Sequence, residues 1–165
     1  MSKNKQGLQP IVGCYVLLLH STRQISVTVG KFGQLDFSPG YYAYVGSAFG
    51  SGGIKARVGR HLSTSASQHW HIDYIKSVMD VVEVWLVYTS LRCEHICAQV
   101  CSQMPSASAP HKGFGSSDCQ CESHLFFYAK QPKFSTFKRR LSGLKEISSQ
   151  VKRGDLTICR VVDKD

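Results

Sequence analysis

The sequence predicts an α/β fold of the α+β type, in which a small, mixed but largely antiparallel sheet is flanked by helices. Two observations predict this class. Short apolar runs crowd the first 48 residues, and turns rich in Gly and Pro separate them. Beyond residue 50, apolar residues at helical spacing alternate with further strand-like runs. The 165 residues are enough for one domain with its own core.

Four strands are predicted before residue 50. Residues 11–20 are almost continuously apolar, which is typical of a strand buried on both faces. Residues 25–29 and 35–37 alternate apolar and polar side chains, and a Gly-containing turn separates them. A Pro-Gly pair precedes the strand predicted at residues 41–48. We expect these strands to form a meander or a pair of hairpins.

A Gly-rich loop then leads into a predicted helix. Ile54, Val58 and Leu62 recur at four-residue spacing and form one apolar stripe on it. The following elements are predicted in the order helix, strand, helix, loop and strand, at residues 70–79, 81–88, 91–104, 105–117 and 125–130.

The chain is expected to have three parts. Residues 1–10 are polar and predict a flexible N-terminal arm. Residues 11–130 should form the domain itself, and residues 131–165 a basic C-terminal extension packed on or next to it. This extension is predicted to be helical to about residue 151, and residues 156–162 could add a last strand.

The charge of the chain predicts an anionic partner. Twenty Lys and Arg oppose eleven Asp and Glu, which gives a formal net charge of +9. Nucleic acid is the commonest partner of such a surface, although a basic surface can also serve solubility alone.

Nothing in the sequence predicts secretion or a membrane partner. The opening residues are polar, and the longest early apolar run, residues 15–19, is too short to span a bilayer. The seven Cys are an odd number, which favours free thiols in a reducing compartment. We therefore expect a cytoplasmic location, nucleoid-associated, or nuclear in a eukaryote.

Two tripeptides and a helix carry a family resemblance. GCY at residues 13–15 and YVG at residues 44–46 lie in predicted strands, and Arg57 and His61 follow on the predicted helix. This order resembles the GIY-YIG nuclease superfamily. Cys14 stands where that family usually has Ile, as does the Val of the second tripeptide, and both swaps keep an apolar strand residue.

The resemblance extends over residues 10–130. HWHIDY at residues 69–74, GFGSSDCQC at 113–121 and SHLFFY at 123–128 resemble a branch of the superfamily that is sometimes joined to endonuclease-III-like repair enzymes. Two departures stand out. The spacer between the tripeptides is longer than usual, and the late Asn that the superfamily often carries is missing, since Asn4 is the only Asn.

The resemblance implies a set of catalytic residues and a metal. Tyr15 would accept or relay a proton of the attacking water, Tyr44 would orient that network, and His61 is a rival base. Arg57 would bind the scissile phosphate, because its planar guanidinium can donate hydrogen bonds to two phosphate oxygens at once. Glu94, on the later helix, would be the ligand of Mg²⁺ or Mn²⁺.

Further residues are predicted to contact nucleic acid. Arg60 and Lys55 are expected on the outer part of the same helix, and His69 and His71 are expected to lie close by. His69, His71 and Asp73 leave alternatives open, because they could instead hold a metal or simply start a helix with polar side chains.

Cys119, Cys121 and His124 resemble half of a zinc site. A fourth ligand could come from His111, His69 or the stripe of Cys93, Cys97 and Cys101. The alternative is an ordinary tight turn held by Asp118 and Ser117.

The expected function is a divalent-metal-dependent endonuclease that hydrolyses phosphodiester bonds in DNA repair or processing. DNA is favoured over RNA as the partner, and a repair enzyme is a second expected partner. The missing Asn keeps open a catalytically inactive module that binds nucleic acid. A third alternative is a protein-binding role for a zinc-loaded Cys/His set.

Overall fold

In the computed structural model, residues 5–64, 67–117 and 119–162 are described. The strands are β1 (Gly13–Ser21), β2 (Ile25–Thr28), β3 (Gln34–Phe37), β4 (Gly40–Ala48), β5 (Asp80–Tyr88), β6 (Leu125–Tyr128) and β7 (Thr157–Val162). The α-helices are α1 (Gly53–His61), α2 (His71–Ile75), α3 (Glu94–Gln103), α4 (Phe134–Ser142) and α5 (Lys145–Lys152). A short 3-10 helix, Gly30–Phe32, joins β2 to β3.

The strands form two antiparallel sheets, which confirms the predicted α+β class. The main sheet has the order β6-β4-β1-β5-β7, and all its described pairings are antiparallel. In the part of the chain that the structure describes, strands β2 and β3 pair only with each other, as a separate hairpin. The first four strands therefore do not make one meander, because β1 and β4 pair directly and the β2–β3 hairpin is inserted between them.

The central strand β1 explains why its sequence is almost entirely apolar. Alternate side chains point to opposite faces of the sheet, and both faces are covered. Tyr15 and Leu17 join the core under α1, α2 and the β2–β3 hairpin, together with the predicted stripe of α1. Cys14 and Val16 join the core under α3, α4 and α5. Each fully buried aliphatic side chain contributes about 1.5–3 kcal/mol to folding.

The C-terminal extension supplies part of this second core and one strand of the sheet. Phe137, Leu141 and Ile147 are fully buried against the sheet, and β7 pairs with β5 along its length. The stretch predicted as helical is two helices, because Leu144 between them has the extended backbone angles φ −78° and ψ 140°. The described part of the extension, residues 131–162, thus packs on the same sheet as the residues before it.

The described part of the N-terminal arm, residues 5–10, lies along α1. Leu8 is 5% exposed, and the Lys55 backbone N–H donates to the Gln9 carbonyl at 3.0 Å. The Ile54 N–H donates to the Ile11 carbonyl at 2.9 Å. These carbonyls satisfy N–H groups that the start of a helix leaves without partners. Residues 1–4 lie outside the described ranges.

Within those ranges, no helix is both long and apolar enough to cross a membrane.

Candidate active site

One cavity collects the side chains that were expected to perform chemistry. It has a volume of about 200 Å³ and lies where β1, β4, α1 and α3 meet the loop before β6. The residues predicted as catalytic, or as the ligand of Mg²⁺ or Mn²⁺, all line it: Tyr15, Tyr44, Arg57, His61 and Glu94. Trp70, Cys119 and His124 complete much of the wall.

Tyr15 reaches the cavity from the middle of the sheet. Its hydroxyl lies 2.8 Å from Nε2 of His61 on α1. Gly46 is opposite Tyr15 in the β1–β4 register, and a Cβ at Gly46 would lie 2.4 Å from the Tyr15 ring. The glycine of the second tripeptide therefore makes room for the phenol of the first, which is a physical reason for the two tripeptides to occur together.

Neither tyrosine is a ready base near neutral pH. Burial, together with neighbouring Tyr44, raises the pKa of Tyr15 well above its ordinary value, although Arg57 opposes this shift. Burial and then Glu94 raise the pKa of Tyr44 in the same way. Tyr15 is thus a neutral phenol that can relay a proton to His61, rather than a phenolate that acts as a base by itself.

Behind His61 lies a buried carboxylate, Asp73. Its Oδ1 is 3.7 Å from Nδ1 of His61, which is longer than a hydrogen bond. No hydrogen bond reaches His61 Nδ1 from any residue that the structure describes. Burial lowers the pKa of His61 below its ordinary value, so the imidazole is neutral near pH 7 and can accept a proton. Tyr15 and His61 thus form a path for one proton, and the Asp73 carboxylate lies behind the imidazole that receives it.

The Asp73 carboxylate is fully buried and held from several sides. It accepts hydrogen bonds from the backbone N–H groups of His69 and Trp70, both at 2.9 Å. Arg60 and Lys76 pair with it at 3.3 Å. Burial by itself would raise the pKa of Asp73, but His61, the two N–H groups and Lys76 hold it well below its usual range. Asp73 is the site residue that the sequence left among several alternatives.

Acid should weaken the fold through Asp73. The folded pKa lies below the unfolded value of about 3.9, so its stabilisation is complete above that value and is lost as pH falls through the folded pKa. Asp73→Asn should lose about 2 kcal/mol at pH 7, since Arg60 and Lys76 are partly exposed and regain water. Urea unfolding from about pH 7 to 3 measures both effects.

The wild type should lose more unfolding free energy on acidification than Asp73→Asn does. Asp80→Asn, at an exposed position on β5, is the matched control and should follow the wild type. Equal pH dependence in the wild type and Asp73→Asn would contradict the assignment.

Arg57 enters the cavity from α1 and stacks on Trp70. Its Cζ lies 4.5 Å from the centroid of the Trp70 ring, and the Cζ of Arg60 lies 4.2 Å from it. Arg60 also pairs with Asp73 and donates to the Ser67 carbonyl at 2.7 Å. Among the described residues no carboxylate forms an ion pair with Arg57, so its guanidinium is available to an anion in the cavity.

Glu94 is the one carboxylate among the described residues that line the cavity. It lies in the first turn of α3, and its side chain is one-third exposed. A single carboxylate with space for water and phosphate oxygens matches the way proteins bind Mg²⁺. The expected Mg²⁺ or Mn²⁺ therefore fits Glu94. The Oε1 atom of Glu94 also lies 3.2 Å from Nδ1 of His124.

The two other histidines predicted to contact nucleic acid do not line this cavity. His71 Nδ1 accepts a hydrogen bond from the Gly115 N–H at 3.0 Å, and its ring packs against Phe32 and Phe114. It therefore holds the loop that carries Gly115. His69 is exposed, and its Nε2 lies 2.8 Å from Oγ of Ser67.

A larger and more open groove of about 780 Å³ runs over the outer side of α1. Lys5, Lys55 and Arg60 line it, and none of its described lining residues is acidic. A shallow pocket of about 180 Å³ shares Arg57 with the cavity and Arg60 with the groove. Basic residues thus form a continuous surface from the cavity across α1, whereas the groups suited to catalysis lie in the smaller cavity.

Comparison with known proteins gives a family. No curated protein and no solved structure matches the chain significantly. The model of the family DUF123, described as a domain of unknown function, matches residues 14–145, which include every residue of the cavity named above. The chain therefore belongs to the DUF123 family, a GIY-YIG-like family.

Proposed function

We propose that this protein is a divalent-metal-dependent endonuclease that hydrolyses phosphodiester bonds, with DNA as its substrate and repair or processing as its task. The observation that carries the proposal is that Tyr15, Arg57, His61 and Glu94, far apart in sequence, line one cavity beside a basic groove. A phosphodiesterase needs an acceptor for the proton of water, a cation for the phosphate and a metal ligand, and these side chains supply all three.

Removal of the proton from the attacking water is assigned to Tyr15 and His61, with Asp73 behind the imidazole. As a water oxygen attacks phosphorus, the Tyr15 oxygen takes a proton from that water and passes its own proton to His61 Nε2, 2.8 Å away. The imidazolium that forms is stabilised by the Asp73 carboxylate, 3.7 Å from Nδ1. The P–O bond to the leaving oxygen breaks, and this oxygen acquires a proton from solvent.

Stabilisation of the negative charge on the phosphate is assigned to Arg57 and to the metal ion at Glu94. The guanidinium of Arg57 binds two phosphate oxygens at once, and the Trp70 ring limits its movement. Glu94 would hold Mg²⁺ or Mn²⁺, which supplies Lewis-acid polarisation of the phosphate. Lys55 and Arg60, in the groove and the shallow pocket, would contact neighbouring phosphates.

The proposal is tested by incubating the purified protein with linear, flapped and branched DNA, with Mg²⁺, with Mn²⁺ and with EDTA. Cleavage should depend on the divalent metal, and Glu94→Ala should lower kcat by about 100-fold, since one ligand of the catalytic ion is lost. Glu146→Ala is the matched control, because Glu146 lies in the first turn of α5 on the surface. Absence of cleavage on every substrate and with either metal would overturn the proposal.

Two observations favour a second candidate function, a nucleic-acid-binding module without turnover. Burial raises the pKa of both cavity tyrosines, and the late Asn of the superfamily is absent. Such a module would bind nucleic acid with a strong dependence on salt, because its contacts would be to phosphates. Its binding would survive Glu94→Ala and would be the same in EDTA as in Mg²⁺.

A further inference from the structure

A second set of metal ligands lies beside the wall of the cavity. One ligand atom each of Cys119, Cys121 and His124 lies within 4.8 Å of the other two. The Cys119 Sγ is 3.3 Å from Nε2 of His124. Two sulfurs and an imidazole nitrogen form a donor set that selects Zn²⁺ over Mg²⁺, because thiolates are soft ligands. The proposed nuclease mechanism uses none of these three side chains.

The backbone around these ligands is already fixed. His124 is 3% exposed, its N–H donates to the Phe114 carbonyl at 2.8 Å, and its carbonyl accepts from the Val45 N–H at 2.9 Å. The N–H of Cys121 donates to the Cys119 sulfur at 3.4 Å. Hydrogen bonds of this kind stabilise a sulfur that carries negative charge.

The second ring nitrogen of His124, Nδ1, independently supports a metal site at these ligands. His124 Nδ1 is buried, and no hydrogen bond reaches it within the described ranges. The Oε1 atom of Glu94 nevertheless lies only 3.2 Å from it. A metal on Nε2 would place the ring proton on Nδ1, which would then donate to Glu94. Histidine ligands of metals almost always have such a carboxylate, carbonyl or water behind them.

Among the residues that the structure describes, the set has three protein ligands and an open side. Of the residues that the sequence offers as a fourth ligand, Cys93, Cys97 and Cys101 belong to the core under α3. His111 bonds to the Asp36 carbonyl, and Nε2 of His69 lies 2.8 Å from Oγ of Ser67. Cys119 and His124, in contrast, line the cavity together with Arg57 and Tyr15. Structural zinc sites have four protein ligands, whereas three ligands with an open position are typical of zinc that meets a substrate.

We propose that Cys119, Cys121 and His124 bind one Zn²⁺ whose fourth position opens into the cavity and takes water or a phosphate oxygen. Zinc binding itself is independent of the proposed nuclease activity, whereas a phosphate oxygen in the fourth position rests on that function. Glu94 is then a positioning residue for His124 through one of its oxygens.

Metal analysis of the purified protein tests the binding. Wild type should carry about one zinc per chain after dialysis against zinc-free buffer, as expected for a site with two thiolates. Cys119→Ser combined with Cys121→Ser should carry less than about a tenth of that. Cys159→Ser is the matched control, because Cys159 is a half-buried thiol on β7 away from the cavity. Zinc-free wild type, or a double variant that keeps its zinc, would overturn the site.

Glu94→Gln tests the arrangement without removing a ligand. The variant removes the negative charge next to Nδ1 of His124, so the affinity for zinc should fall about 10- to 100-fold. Competition with a chromogenic chelator measures this affinity. Unchanged affinity would show that Glu94 does not support the site.

Cobalt substitution tests the open position. Co²⁺ bound to the wild type should show thiolate absorption, and inorganic phosphate should change its visible bands if the fourth position is open. Visible bands that do not change when phosphate is added would indicate a closed, four-ligand site and overturn this part of the proposal.

The metal measurements contain no nucleic acid, so the two proposals can fail separately. Zinc binding without DNA cleavage would reject the nuclease alone, and DNA cleavage without zinc binding would reject this site alone.

Discussion

Tyr15→Phe should lower the rate of DNA cleavage by about 100- to 10,000-fold, the range that general acid–base catalysis contributes. Phenylalanine keeps the ring that packs against Gly46 but removes the hydroxyl that lies 2.8 Å from His61. No group then connects the attacking water to the imidazole. The measurement is the single-turnover rate at saturating protein, together with the Kd for the same DNA, which should change little.

The control for this variant is Tyr42→Phe. Tyr42 is a buried tyrosine on β4 whose hydroxyl donates to the Ser38 carbonyl at 2.7 Å, and it is not among the residues that line the cavity. Removal of this hydroxyl costs about 0.5–1.5 kcal/mol of stability and should leave the rate of DNA cleavage almost unchanged. If Tyr15→Phe kept more than about a tenth of the wild-type rate, the path from water to His61 would be rejected.

The pH dependence of the wild type separates a proton path from a purely structural tyrosine. Burial lowers the pKa of His61 from its ordinary value of about 6.5, and a protonated imidazole cannot accept another proton. Cleavage should therefore fall as pH drops through the pKa of His61 and should be level above it. The residual rate of Tyr15→Phe should lack this acidic limb, whereas a variant damaged only in its packing would keep it.

Much of the cavity could be predicted because it depends on local periodicity. Side chains alternate along a strand, so the position of Tyr15 in its tripeptide fixes the face of β1 on which it lies. Arg57 and His61 are one turn apart on a helix whose apolar stripe fixes its orientation against the sheet. The positions of these side chains followed from the sequence pattern, and their catalytic roles remain predictions.

The features that were missed depend on contacts between distant segments. Nothing in the alternation of residues 25–37 distinguishes a strand of the main sheet from a separate hairpin, because both expose one polar face. The pairing of β7 with β5 joins segments about 75 residues apart, and no local pattern specifies such a partner.

Asp73 was missed for a related reason. The string from His69 to Asp73 offers three polar side chains, and local spacing cannot tell which of them turns inward. In the structure, Asp73 lies in the first turn of the short helix α2. Its carboxylate points back toward the backbone N–H of Trp70 and toward His61. A capping pattern, an acid three residues after the start of a helix, was the available signal.

Arg57→Ala should lower the single-turnover rate by about 100- to 1000-fold, equivalent to roughly 3–4 kcal/mol, since one donor to a developing phosphate charge is lost. Arg57→Lys should recover only part of this rate, because an ammonium is a point charge without the planar fork that binds two oxygens. In both variants Trp70 loses the guanidinium of Arg57 and keeps that of Arg60, so the packing of Trp70 alone cannot explain a difference between the variants.

Salt dependence decides whether Arg57 contacts phosphate. Each lost phosphate contact should lower the slope of log K against log salt by about one unit, so Arg57→Ala should bind DNA with a shallower slope than the wild type. Arg23→Ala removes the same charge from an exposed turn between β1 and β2 and should keep both slope and rate. An Arg57→Ala variant that cleaved like the wild type and kept its salt slope would reject Arg57 as the cation that binds the scissile phosphate.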